Sequence, residues 1–456
     1  MGIGTTQLAE KHRDEASGSA RRVARWLVPV LSLAVLAAPL GVVVAAVGPT
    51  PSGAASLCGK PVPITAAQSN STTGITSKSV SVGNVSIIGG PVPGLFEGAP
   101  VGAEAYFDYV NSKGGVNGRK ISLTSYDDGF SGQQNQIETQ QAETNDFALV
   151  GSFSLFDSYG CAVLAQNPGM PDVSVTLDTT TNSLSNVYSA QPINQGLPLG
   201  PLIYLKKHYP KSLSLGALVS NAATAIAQWK GQEVALKHEG YKITYVRYVN
   251  PLETDFTTDI VHMRSLGVQT LFMTDLDWEV SAALIQGMTQ QGWRPMVSYS
   301  GGPAYADQFI KTAGGAAANG VIIGQLQALY LGQDRKAVPA VNTFLTWVQK
   351  AKKGWTPDLY TLYGWASAQL FVQALKSAGP HPTRGKVLAE LHKVTNFNAS
   401  GLLAPGDPAY KVSPSCYILA KVVNQSFQRV EDPGNGTFRC DAPDWGINGK
   451  ASYGPK

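Results

Sequence analysis

The residues able to do chemistry in this chain are gathered in six short loops: 91–96, 152–157, 178–181, 220–224, 275–278 and 300–302. Each follows a stretch that reads as a buried strand, and in doubly wound sheets ligands bind outside the carboxyl ends of strands. The loops offer hydroxyls (Ser152, Ser154, Thr179, Ser300), an amide (Asn221) and carboxylates (Asp178, Asp275, Asp277). They also offer rings: Phe96, Phe153, Phe156 and Trp278, with Tyr299 closing the strand before its loop. Such a set suits a small amphipathic ligand held by an apolar wall and a few directed hydrogen bonds. No arginine falls in any of these loops, so a ligand carboxylate finds no bidentate partner.

Each residue also has a plainer role open to it. An Asp or Ser just after a strand is often the N-cap of the next helix, which applies to Asp157 and Asp178 and to the pair Asp127 and Asp128. Phe153 and Phe156 suit an interface core, and Trp278 suits a surface staple. Motifs for covalent or metal chemistry are absent: no Gly-x-Ser-x-Gly elbow, no Walker loop, no Gly-x-Gly-x-x-Gly, no His-Glu-x-x-His. His238-Glu239 lacks the second histidine of a zinc helix, and the other histidines are scattered. No cofactor, metal or nucleophile site is expected, and so no enzyme.

The elements that must position these loops alternate in a βα rhythm. Strands are expected at 82–90, 121–126, 148–151 and 173–177, with helices at 100–113, 133–144 and 157–166. A second series runs from 213: strands 213–219, 243–248, 270–274 and 296–299, with helices 225–239, 256–266 and 279–291. Two such series imply α/β architecture with two doubly wound parallel-sheet lobes. Helices 339–352 and 362–377 and a terminal hairpin, 416–423 with 427–431, complete the pattern.

Residues 111–128 read NSKGGVNGRKISLTSYDD. A helical stripe through Ala103, Phe107, Val110 and Asn111 ends at Gly114-Gly115, Asn117-Gly118 turns the chain, and an alternating strand closes on paired aspartates. This run closely resembles the first helix and second strand of type I periplasmic binding proteins, the Leu/Ile/Val receptor family of ABC importers. The resemblance spans about residues 80–432. It implies three passages between the lobes, at 190–194, 322–326 and 405–415, acting as a hinge. Lobe 1 is then 79–191 with 326–405, and lobe 2 is 192–325 with 406–440, leaving 441–456 as a tail. It also implies that Asp275 or Asp277 is the amine or hydroxyl partner, because the family's amine-binding acid lies on that loop. This chain departs from the family at the ligand loops. Phe153-Ser154-Leu155-Phe156 replaces a serine run, Leu177-Asp178-Thr179 replaces Ala-Ala-Thr or Ser-Ala-Thr, and Asn221–Ala225 replaces Asp-x-x-Tyr-Gly. A bulkier, less anionic, partly aromatic or amide-like ligand fits these loops better than a branched amino acid.

Length and composition agree with a turn-rich two-lobed protein: 456 residues, 14% charged, 48 glycines. Without residues 1–57, 30 basic and 28 acidic side chains leave a charge of +2, so no nucleic-acid partner is called for. Arg21, Arg22 and Arg25 precede an uncharged apolar run at 26–47, long enough to span a bilayer, with the arginines on the cytoplasmic side. Residues 1–25 are the leader and 48–78, rich in Pro, Ser, Thr and Gly, a linker. Cleavage and retention of the 26–47 segment both stay open; either way the remainder is exported, and retention would keep the chain in contact with the membrane. Four cysteines in an exported chain favour two disulfides, with three connectivities open; the favoured one has Cys416–Cys440 closing the final hairpin and Cys58–Cys161 tying the N-terminal segment to lobe 1. The resemblance implies delivery of the ligand to an ABC-type membrane permease. Competing readings are a membrane-anchored sensory domain and, lacking a visible nucleophile–base pair, a hydrolase or amidase on the same scaffold.

Overall fold

The computed structural model describes residues 57–193, 196–430 and 436–455. The leader, the apolar run at 26–47, the linker's start at 48–56, and the expected hinge and hairpin ends at Asn194 and Glu431 lie outside the described residues.

The chain opens with α1 (Ala66–Ser69), β1 (Ser79–Ser86), α2 (Gly98–Asn111) and β2 (Lys120–Asp127). Next come α3 (Gly132–Asn145), β3 (Leu149–Val150), α4 (Asp157–Gln166), β4 (Asp172–Val173) and α5 (Thr179–Asn182). Strands β2-β1-β3-β4 form one wholly parallel sheet, with Val82 opposite Leu123. The stretch 111–128 does what its residues dictate. Asn117 and Gly118 have φ of 49° and 78°, the double left-handed geometry of a tight hairpin turn, and Val116 and Arg119 exchange both backbone hydrogen bonds across it. The Asn111 side-chain amide then pairs with both backbone groups of Ile121, fixing helix to strand.

A second unit follows: β5 (Gly196–Pro198), α6 (Leu199–His208), β6 (Ser214–Ser220), α7 (Ala223–His238), β7 (Lys242–Val249) and α8 (Thr257–Ser265). It continues through β8 (Thr270–Thr274), α9 (Trp278–Gln290), β9 (Val297–Ser300), α10 (Asp307–Thr312) and β10 (Ile322–Gln325). The chain returns to the first unit as α11 (Pro339–Ala351), α12 (Leu359–Ser377) and α13 (Arg384–Leu391). It ends with β11 (Ile418–Val423), β12 (Ser426–Arg429), β13 (Asp444–Gly446) and β14 (Ala451–Ser452). The second sheet runs β12-β11-β10-β9-β8-β6-β7, parallel from β10 to β7, with β11 and β12 antiparallel at one edge. The two sheets and their helices are the two lobes, crossed by the chain three times.

Lobe 1 is held by α12, buried along nearly its whole length, crossing α2 at glycines. A β-carbon at Gly102 would overlap the Thr361 carbonyl, and one at Gly364 would overlap that of Ala99. Only glycine permits backbones this close. The three crossings meet at one carbonyl: Leu326 O accepts from Gln191 Nε2 at 2.9 Å and from the Ala404 backbone N–H at 2.8 Å. Neighbouring segments of the three crossings are thereby tied at a point.

Both disulfides join the expected pairs, Cys58–Cys161 and Cys416–Cys440. Two segments differ from expectation. The described part of the linker packs on lobe 1: Val62 N–H donates to Ala165 O, and α1 starts in a capping box at Thr65 and Gln68. The tail is a small sheet, β14-β13-β5, on lobe 2, where Trp445 stacks on His238 at 3.7 Å between ring centroids. The elements β5 and α6 were not anticipated because a three-residue strand has no periodicity to show. Among the described residues no helix is long and apolar enough to cross a membrane.

Candidate functional site

The carboxyl ends of both sheets face a cavity of about 240 Å³ bounded by both lobes and by the hinge. Lobe 1 supplies an aromatic wall. Phe96 follows β1, Phe153 follows β3, and Tyr360 and Tyr363 occupy the first turn of α12, where Asp358 caps the helix through the Thr361 N–H. Phe96 meets Phe153 edge-on at 4.8 Å, Tyr360 lies 4.5 Å from Phe96, and Tyr363 stacks on Phe153 at 5.9 Å. Contacts of this kind add to the burial of each ring and fix its orientation.

Lobe 2 supplies the polar wall. Ser220 ends β6, Thr224 and Gln228 lie on α7, and Asp275 and Asp277 follow β8. Asp275 has a φ of 50°, a left-handed conformation that Asp tolerates better than most side chains. Asp277 sits at the N-cap of α9 without the usual side-chain capping bond further into the helix; it accepts from the Tyr360 hydroxyl at 3.3 Å, a contact between the lobes. Loss of water around Asp277 raises its carboxyl to about 8, helped by the negative charges of Glu279 and Asp358 and opposed by the Trp278 N–H and the Tyr360 hydroxyl. Asp275 reaches cleft solvent from between two protein walls, and partial desolvation pushes it up to about 6. Both carboxyls of the wall are thus held above the ordinary carboxylate range. Tyr299 stacks on Phe272 at 4.6 Å, and its hydroxyl occupies the space that a side chain at Gly324 would take.

The hinge supplies amides. Gln191, Gln325 and Gln327 line the cavity, and Gln327 Nε2 donates to Gln191 Oε1 at 2.5 Å and to the Tyr363 hydroxyl at 3.2 Å. No Lys, Arg or His is among the described residues lining the cavity. The hydroxyls there have no imidazole to act as base, and an anion has no counter-charge. The arrangement binds by shape, apolar contact and hydrogen bonds.

Of the residues nominated by sequence, Phe96, Phe153, Asp275, Asp277 and Tyr299 come together on the cavity wall. The others lie elsewhere, for identifiable reasons. Ser152 Oγ accepts the Val85 N–H, and Ser154 Oγ donates to Asp128 Oδ2 at 2.5 Å while accepting the Phe156 N–H. Phe156 packs on Phe130 at 5.3 Å, away from the cavity. Asp178 caps α5 through Thr181, and Thr179 is exposed on that helix. Asn221 is exposed, Trp278 is half-buried against the core, and Ser300 is buried with its hydroxyl on the Met273 carbonyl. Tyr360, Tyr363, Gln325 and Gln327 were not nominated. Polar residues interrupting the apolar run IIGQLQ were the available signal for the glutamines.

Among the described residues, the one grouping with metal-ligand proximity is Cys58, Cys161 and Asp178, and its two sulfurs are bonded to each other. It offers no thiolate to a metal.

The profile of the family described as periplasmic binding protein matches residues 79–425. The Leu/Ile/Val-binding protein homolog 1 of Brucella abortus is 27% identical over 304 residues, 64% of this chain and 78% of that protein. Among solved structures, a branched-chain amino acid ABC transporter protein from Thermus thermophilus with bound valine superposes with a TM-score of 0.68 at 15% identity. That match covers 78% of this chain and 97% of the other. The fatty acid ABC transporter substrate-binding protein from Thermomonospora curvata superposes with a TM-score of 0.66 at 18% identity, covering 79% and 93% of the two chains.

Proposed function

The chain belongs to the periplasmic binding protein family, and from that premise we propose that it is an exported receptor delivering a small amphipathic ligand to an ABC-type permease. The observation that carries this reading is the cavity itself, aromatic on one lobe, acidic on the other and floored by the hinge. Ligand enters between the lobes, its apolar body lies against Phe153 and Tyr360, and its donor groups meet Asp275 or Asp277. The hinge then closes, water leaves, and the permease reads the closed surface. No bond is made or broken in the ligand. Export is directed by the apolar segment at 26–47.

The T. thermophilus protein's bound valine and the T. curvata protein's fatty-acid designation set the ends of the ligand panel to be tried. Residues 57–456 are screened by thermal shift against amino acids, amides, amines, aromatic acids, fatty acids, sugars and short peptides. A ligand at a hundred times its dissociation constant adds about 2.7 kcal/mol to stability, a readily measured shift. Amphipathic compounds are expected among the hits. Hits confined to sugars, or silence across the panel, contradict the reading.

A further inference from the structure

Gln325 differs from the other side-chain amides among the described residues. It is 1% exposed and lines the cavity, yet neither its Nε2 nor its Oε1 has a hydrogen-bond partner. Two residues on, Gln327 uses its Nε2 twice within the hinge, while its buried Oε1 has no partner. Gly302 leaves room over that oxygen: a β-carbon there would stand 3.3 Å from it. Buried polar atoms are almost always paired, and an orphan is unfavourable enough to call for a reason. The hinge therefore holds two acceptors and one donor unpaired at the cavity wall, with no formal charge. Rotating the Gln325 amide by half a turn exchanges its two ends and leaves this inventory unchanged.

Complementarity selects the group that fits. A carboxylate has acceptors only, so it would leave both glutamine oxygens unpaired and would face the carboxyls of lobe 2. An ammonium has donors only and would leave Gln325 Nε2 unpaired. A primary carboxamide or a urea carries N–H donors and a carbonyl acceptor in one plane and satisfies both kinds. We propose that Gln325, with Gln327 Oε1, is the specificity-determining subsite of the cleft, and that it takes an uncharged carboxamide or urea head group whose apolar body lies on the lobe 1 aromatics. This rests on the receptor reading and names the ligand class within it.

The test uses series with a constant body and a changing head: 3-methylbutanamide, 3-methylbutanoate and 3-methylbutylamine, then phenylacetamide, phenylacetate and phenethylamine. Titration calorimetry on residues 57–456 should show the amide of at least one series binding about tenfold or more tighter than its acid and amine, as two buried hydrogen bonds imply. Gln325→Met and the isosteric Gln325→Glu should each abolish that preference. Without ligand, Gln325→Met should melt at the same temperature as wild type or higher, because it removes an unpaired buried amide. A lower melting point for the unliganded Gln325→Met protein overturns the proposal, since the amide would then be serving the fold. So does an amide preference that survives both substitutions, or an acid or amine that outcompetes its amide; the receptor reading survives these last two results. Silence from all six compounds and from the wider panel overturns both.

Discussion

The two lobes present the same topological feature to the cleft, loops at the carboxyl ends of parallel strands, and equip it differently. In lobe 1 the polar side chains of those loops are engaged within the lobe. Strands β3 and β4 are two residues long, so the backbone beyond them has few ladder partners and borrows side chains. Ser152 Oγ serves Val85, Ser86 Oγ serves Phe153, and Asp157 Oδ2 serves both Leu177 and Asp178. What remains facing the cleft is apolar, rings with Leu95, Leu155 and Leu177 between them. In lobe 2 the strands are longer and lead directly into helices, and the polar side chains after β8 are left to the cavity. A strand-end position nominates a loop; whether its polar residues are available depends on what the backbone around them needs.

Four substitutions bear on that contrast. The largest effect is expected for Phe153→Ala, which empties a site only 5% exposed at the centre of the ring cluster. Removing such a side chain costs about 3–5 kcal/mol, measurable by denaturant titration, and the apolar wall goes with it, so ligand binding should be lost. Next is Ser154→Ala, which deprives the buried Asp128 and the Phe156 N–H of a partner. A loss of about 1–3 kcal/mol is expected, with ligand affinity unchanged once the folded fraction is accounted for. Reduced affinity would mean that lobe 1 polar groups reach the ligand after all.

Asp277→Asn tests lobe 2 through pH. The folded protein holds a proton on Asp277 up to about pH 8, while the unfolded chain releases it near pH 4. Between those values the folded state binds more protons, so stability falls as pH rises. Asp157, Asp172 and Asp275, raised to about 7, 6 and 6, slope the same way over narrower windows. Melting curves of Asp277→Asn should match wild type near pH 4, exceed it at pH 8, and decline less in between. An unaltered slope would place the carboxyl of Asp277 in bulk water. The smallest effect belongs to Thr179→Ala, exposed on α5, expected within about 0.5 kcal/mol of wild type and without effect on ligand.

Much of this was legible in the residues. The run from Asn111 to Asp128 contains its own turn geometry, and the βα rhythm points to two lobes, with five of the residues it singles out on the cavity wall. An even cysteine count points to two disulfides, and the structure selects one of the three possible pairings. What escaped depended on distant partners. Whether Ser154 or Asp178 is free cannot be seen without Asp128 and Thr181 in place, since each is a good cap or crosslink and an equally good ligand contact. Tyr360 and Tyr363 are core-like positions of a helix until the cleft is seen to cut across its first turn. Gln325 becomes informative only through the absence of any neighbour able to pair with it. The small β14-β13-β5 sheet has strands too short for a period.

A ligand that touches both walls at once protects both from solvent, which hydrogen exchange measured with and without the best hit of the thermal screen detects. Slowed exchange is predicted together in peptides covering 95–99, 153–156 and 359–363 of lobe 1 and 272–280 of lobe 2. Protection confined to one lobe, or its absence from both sets while calorimetry still registers binding, would mean that the ligand does not bridge the two walls.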